Sequence, residues 1–264
     1  MKEFLGFGGY QREAEGFLSW QHILFVSTLL ITMTILAVVL GAKNRNKIDS
    51  KKNIPLIFAA ILIDSFEIFK IVVLCLRSGE GDAWLYNLPL FLCSIQLITI
   101  PLAAFSRGRV KEAALDFVLI FGILGAILGT IGAAQNYNAY PVLSLDNVVS
   151  GITHCISGFA SLYIAFANMA SMKRKNIAIS FSILIFFCIS AYIANIILDY
   201  NYMFLMSHDG TPFVIFYNLV NGNSVLYPII VVLSMISYIT IFYLVYFFVH
   251  SKQEKKATQI ISEG

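Results

Sequence analysis

The run Trp20-Gln-His-Ile-Leu-Phe-Val-Ser-Thr-Leu-Leu-Ile-Thr-Met-Thr-Ile-Leu-Ala-Val-Val-Leu40 contains no Asp, Glu, Lys or Arg. As a helix rising about 1.5 Å per residue it measures roughly 30 Å, the thickness of a bilayer's hydrocarbon core. The rest of the chain has the same character. Of its 264 residues 58% are hydrophobic and only 12% charged, where a soluble domain carries about 25% charged residues. Mean hydropathy is +0.79. So many apolar side chains exceed what one globular core can bury, and they point to an integral membrane protein. Met1-Lys-Glu-Phe opens the chain without a short apolar segment and small-residue cleavage site, so Trp20–Leu40 reads as a span and not as a cleaved leader.

Six further apolar runs follow, giving seven predicted spans near 19–41, 54–76, 86–105, 112–133, 148–171, 178–199 and 224–250. The loops between them differ in charge. Lys43, Arg45, Lys47, Lys51 and Lys52 fill the first loop, Arg107, Arg109 and Lys111 the third, Lys173, Arg174 and Lys175 the fifth, and Lys252, Lys255 and Lys256 the tail. Loops 134–147 and 200–223 hold no Lys or Arg, and loop 77–85 holds only Arg77. The positive-inside rule then places the N-terminus outside and the C-terminus in the cytoplasm, in agreement with an odd number of spans. The expected fold is an all-α polytopic membrane protein, residues 1–264 forming one bundle in the cell membrane. No soluble domain, low-complexity tract or internal repeat is evident. The net charge of +3 is spread by loop and reports topology, not nucleic-acid binding. At the outer end of the first span Trp20 and His22 read as interfacial anchors; the competing reading makes the N-terminal segment a loosely ordered tail.

Cys75, Cys93, Cys155 and Cys188 lie in or beside apolar runs with no CxxC spacing, which argues against a disulfide framework or a metal site. No cofactor motif is present. Polar residues inside the runs are therefore the informative ones. Asp64, Glu67 and Lys70 recur at helical spacing in the second run. Ionisable groups at that depth are costly and face a protein interior or a water cavity; Glu67 and Lys70 read either as the wall of a site or as a pair that neutralises itself. The fourth run has Gly122, Gly125, Gly129 and Gly132, and its GxxxG reads as tight helix packing. Asn195 and Asp199 share one face at the end of the sixth run, and Tyr227-Pro228 opens the seventh.

Cys93 in Leu88-Pro-Leu-Phe-Leu-Cys93-Ser-Ile-Gln96 and His154 in Thr153-His-Cys155 each sit six or seven residues into an inward-running span. At about 1.5 Å per residue both lie roughly 10 Å below the outer helix ends, in the same half as Glu67, Asn195, Asp199 and Tyr227. An imidazole beside a thiol can take its proton, and the thiolate can attack an ester carbonyl to give a thioester. Glu67, Asn195 or Asp199 would orient the imidazole or donate to the oxyanion. The competing reading makes Cys93 a small apolar filler and His154 a packing residue.

Leu88-Pro89-Leu90-x-Leu92-Cys93, His154, Asn201-Tyr202-Met203-Phe204-Leu205 and Gly222 with Tyr227 together resemble the YwaF-like family of bacterial membrane proteins, related to eukaryotic transmembrane protein 164. The resemblance covers most of the spanning region. It implies a multi-pass enzyme that moves a fatty acyl chain between phospholipids, with Cys93 as nucleophile and His154 as base. It adds Asn201, Tyr202 and Tyr227 as supporting residues. Two positions depart from the pattern: Phe91, where relatives often carry histidine, and Asn223-Ser224-Val225-Leu226, where they tend to carry Pro-Trp-Pro-Trp. The expectation is a lipid acyltransferase or lipase acting on membrane phospholipid. The alternative is a transporter or small-ligand receptor whose path is lined by Asp64, Glu67 and Lys70.

Overall fold

Ser19 starts the first long helix by accepting the His22 backbone N–H at 3.3 Å, a side-chain cap on an otherwise orphaned donor. The computed structural model describes residues 2–79 and 81–263, with 250–263 described by backbone alone. The described regular structure is helical throughout: α1 (Lys2–Leu5), α2 (Trp20–Asn44), α3 (Asp49–Ser78), α4 (Gln96–Phe105), α5 (Gly108–Thr130), α6 (Ala134–Ala139), α7 (Leu145–Phe166), α8 (Arg174–Leu198), α9 (Val214–Leu219) and α10 (Leu226–Glu263), with short 3₁₀ turns at Ala83–Asn87 and Tyr202–Phe204. No strand occurs among the described residues.

Five of these helices, α2, α5, α7, α8 and α10, are long and apolar enough to cross a membrane. The chain is thus a multi-pass membrane protein. α3 has 30 residues and is longer still than four of them, but it carries Asp64, Glu67 and Lys70. The third apolar run departs from expectation. It does not form one helix over 86–105: Leu88–Ile95 is irregular, and only the ten residues of α4 are helical. Pro89 is the reason. It holds Leu88 extended at φ −63°, ψ 151° and supplies no N–H of its own. The polar tail after Val249 continues α10 to Glu263, while Lys252, Lys255 and Lys256 fall outside the described side chains.

α5 and α7 form the centre. Gly122 permits their close approach: a Cβ there would stand 2.7 Å from the Ser157 carbonyl oxygen. Ser161 donates across the interface to the Leu119 carbonyl at 2.8 Å, and Ser157 to that of Gly122 at 3.4 Å. Small residues and interhelical hydrogen bonds of this kind drive helix association where lipid offers no hydrophobic gain. α2 and α3 pack on α7, α4 packs on α3 and α5, α8 packs on α5, and α10 on α8.

The connections segregate by end. The basic loops gather at one end, where Tyr163 donates to the Lys52 carbonyl (2.7 Å) and Arg109 to that of Lys175 (2.8 Å). The opposite end carries the N-terminal segment, α6 and α9. Residues 2–18 are not a loose tail: the Phe17 N–H donates to Asn138 Oδ1 at 2.8 Å, and Glu15 accepts the Val142 N–H at 2.7 Å. His22 is 2% exposed, packed between the rings of Phe17 and Tyr137, so it is a buried residue and not a surface anchor; Trp20 is exposed. At this same end Gly79, at φ +73°, closes α3 in the left-handed region where glycine has no Cβ penalty.

Candidate active site

Along α7, Asp146, Ser150 and His154 are spaced by four residues and share one face. His154 Nδ1 lies 2.7 Å from the Ser150 carbonyl oxygen. A carbonyl only accepts, so Nδ1 carries the ring proton and Nε2 keeps its lone pair. The orienting group is therefore the backbone of Ser150, one turn earlier, and not Glu67, Asn195 or Asp199. The imidazole lies over Gly129 of α5, where an added Cβ would overlap the ring carbons and Nε2. A Cβ at Gly125, one turn earlier, would meet Cys93 Cβ in ordinary contact at 3.5 Å. Within the GxxxG of α5, Gly129 thus makes room for the imidazole, a use beyond helix packing alone.

Cys93 reaches His154 by a route other than helix depth. It lies in the turn over 92–95 that leads into α4, built by hydrogen bonds from Ile95 N–H to Phe91 (3.1 Å), Gln96 N–H to Cys93 (3.3 Å) and Leu97 N–H to Ser94 (3.0 Å). Cys93 and Ser94 line the same small space as the His154 imidazole. With Nδ1 engaged, Nε2 is the ring nitrogen left to accept the thiol proton. The N–H groups of Cys93 and Ser94 have no backbone acceptor among the described residues, and the positive end of α4 follows directly.

A cavity of about 50 Å³ opens at the pair. Glu67 and Lys70 enter it from α3, Cys93, Ser94 and Leu97 from the turn and α4, and Ser150, Thr153 and His154 from α7. Lys70 Nζ lies 2.6 Å from Glu67 Oε1; Asp64 does not line the space. By this measure a water needs about 10–15 Å³, so the space holds a few waters or a small polar group.

The remaining predicted residues stand outside the cavity. Asn195 takes the Tyr202 N–H on Oδ1 (2.6 Å) and donates to its carbonyl (3.0 Å). Tyr202 in turn donates its hydroxyl to the Leu85 carbonyl (2.5 Å) and accepts the Leu88 N–H (3.2 Å). The two residues form a strut under the start of the Cys93 segment. Phe91, on that segment, meets the rings of Tyr202 and Phe204 at 5.2 and 5.6 Å. Asp199 ends α8 in a left-handed conformation, φ 49°. Asn201 closes its own loop by binding Ser207 and Asp209. Tyr227 is buried against Tyr217, with its hydroxyl unpartnered among the described residues.

Tyr202→Phe leaves the Leu88 N–H and the Leu85 carbonyl unmet. Each orphaned group costs about 1–3 kcal/mol when buried, somewhat less at these half-buried positions. Alkylation of Cys93 is expected to slow several-fold as the turn loosens. An unchanged rate would show that the strut does not position the thiol.

Among the described residues, no three His, Cys, Asp or Glu side chains cluster to hold a metal, and all four cysteines are free. No curated protein and no solved structure matches the chain. The sequence profile of the TMEM164 family matches residues 17–246, a segment that contains the whole Cys93–His154 cavity and its strut. The chain belongs to the TMEM164 family.

Proposed function

We propose that this protein is a lipid acyltransferase with a Cys93–His154 pair as its reacting unit. It would cross the cell membrane seven times, with the N-terminus outside and the basic end in the cytoplasm. The observation that carries the reading is that Cys93 and His154, the latter's tautomer set by Ser150, line one small polar cavity. Nε2 takes the Cys93 proton as Sγ attacks the carbonyl carbon of an ester lipid. The carbon–oxygen bond breaks, the leaving alkoxide takes the proton from the imidazolium, and the acyl group remains as a thioester. An acceptor hydroxyl, deprotonated by the same Nε2, then attacks the thioester and the thiol regains its proton. The N–H groups of Cys93 and Ser94 are the nearest candidates to receive the developing oxyanion.

A transport path finds less support. Asp64 stands outside the cavity, and Glu67 and Lys70 are paired with each other.

The test is labelling of the protein in lipid nanodiscs with an acyl-chain chloroacetamide. Labelling at Cys93 should vanish in Cys93→Ala. In His154→Ala it should slow by about 10²-fold, the usual contribution of a general base. Equal labelling of all three proteins would sink the reading.

A further inference from the structure

We infer that the N-terminal segment is a strap, fastened by Tyr10 to Asp146 and Arg77, that closes the aqueous mouth of the Cys93–His154 cavity and limits the water that reaches it. Arg77 at the end of α3 forks onto Asp146 at the start of α7, Nη1 to Oδ2 at 2.8 Å and Nη2 to Oδ1 at 3.0 Å. The Tyr10 hydroxyl donates to Asp146 Oδ2 at 2.5 Å and accepts from Arg77 Nη1 at 3.2 Å. The guanidinium also lies 5.7 Å from the Tyr10 ring centroid. A bidentate pair shielded from water is stronger and more directional than an exposed one, and here the side chains of Arg77 and Asp146 are only 21% and 14% exposed.

The position of this clasp gives it a role. Asp146 is one turn before Ser150 and two before His154. Arg77 is seven residues beyond Lys70. At about 1.5 Å per residue the clasp sits roughly 6–10 Å beyond the cavity, on the same two helices that wall it. It ties α3 to α7 above the buried Val73, Leu145 and Val149, against which Leu5 of the strap packs, so strap and cluster together stand between the outer end and the pair. Glu15 on Val142 and Phe17 on Asn138 fix the rest of the strap over the same end. Burial, and then the hydrogen bond to Asp146, push the Tyr10 phenol up to about 12, so it stays a donor throughout the neutral range.

The chemical consequence rests on the thioester reading above. Water that reaches the thioester places its oxygen on the carbonyl carbon, breaks the carbon–sulfur bond, returns one proton to sulfur and releases a carboxylic acid. With the strap fastened, a lipid hydroxyl is the favoured acceptor; with it released, transfer becomes hydrolysis.

The strap itself is tested without any turnover. The full chain in nanodiscs is treated with a cationic methanethiosulfonate or with neutral N-ethylmaleimide, and modification of the Cys93 peptide is followed by mass. In Tyr10→Phe, which keeps the Arg77–Asp146 fork, the rate with the cationic reagent is expected to rise at least fivefold while the neutral rate changes less than twofold. Asp146→Asn should do the same or more. A cationic-to-neutral ratio unchanged in Tyr10→Phe overturns the strap, and so does a parallel rise of both rates. Any accessible thiol reacts with these reagents. A Cys93 that proves inert towards the lipid-like electrophile therefore fails the acyltransferase reading and leaves the ratio interpretable.

Discussion

Gly129→Ala should reduce alkylation of Cys93 to the level of His154→Ala, about 10²-fold below the unsubstituted protein. The added methyl would occupy the place of the imidazole, overlapping its ring carbons and Nε2. The ring is held from the other side by the Ser150 carbonyl. It has to swing out of that hydrogen bond, or α5 has to back away from α7, where Gly122 and Ser157 already touch. Either response separates Nε2 from the thiol and removes the base, a loss of 10²–10⁴ in proton-transfer catalysis. The fold should survive, because alanine favours a helix over glycine by about 1 kcal/mol and offsets part of the clash. Gly125→Ala is the control: its methyl meets Cys93 Cβ at 3.5 Å, ordinary contact, and the rate should stay within a few-fold. A Gly129→Ala protein that labels at the original rate would show that imidazole placement does not govern the thiol.

Asp116→Ala is expected to be the most destabilising single change in the bundle. Asp116 is fully buried in α5 and receives the backbone N–H groups of Ser171 (3.0 Å) and Met172 (2.9 Å) and the Ser171 hydroxyl (3.2 Å). These bonds hold the return from α7 to α8, where Asn168 and Met172 adopt positive φ of 52° and 43°. Without the carboxylate, the buried Met172 N–H and the half-buried Ser171 N–H and hydroxyl lose their acceptor, at about 1–3 kcal/mol for a buried group and less for the others. A loss of at least about 3 kcal/mol corresponds to a fall in Tm of roughly 10 °C for a protein of this size. Thermal unfolding in detergent, followed by intrinsic fluorescence, measures it. Asp116→Asn keeps one acceptor oxygen and should fall less. A drop under about 2 °C in Asp116→Ala would mean that the turn closes by other bonds.

Asp116 also marks what the sequence concealed. Inside a glycine-rich apolar run it looks like one stray charge, because its partners are backbone groups and leave no pattern in side-chain spacing. The same holds for Ser150, whose carbonyl orients His154: every residue has a carbonyl. The run lengths made the long helices legible, since five of them are continuous and apolar enough to span. The third run misled because hydropathy counts apolar residues and does not register where Pro89 breaks the hydrogen-bond ladder. Irregular backbone is tolerated in a membrane protein when protein packs against it, and Leu88–Ile95 is half-buried or buried, with Leu88 bonded to the Tyr202 hydroxyl and Phe91 against its ring. The meeting of Cys93 with His154 was anticipated from equal depth on two helices. The turn before α4 brings them together instead, so their meeting rests on the fold of residues 92–95 and not on depth along two helices. Asn195 and Tyr202 are expected beside the Cys93–His154 pair and stand instead outside its cavity, bonded to the backbone at the start of the Cys93 segment.

The cavity at Cys93 also bears on selectivity. On the acyltransferase reading, about 50 Å³ admits the ester group and leaves the hydrocarbon tail outside, among the neighbouring lipids. Such a site has no ruler for counting methylenes. It would choose substrates by how far below the headgroup the ester bond lies, and so sort them by regiochemistry while accepting tails of many lengths.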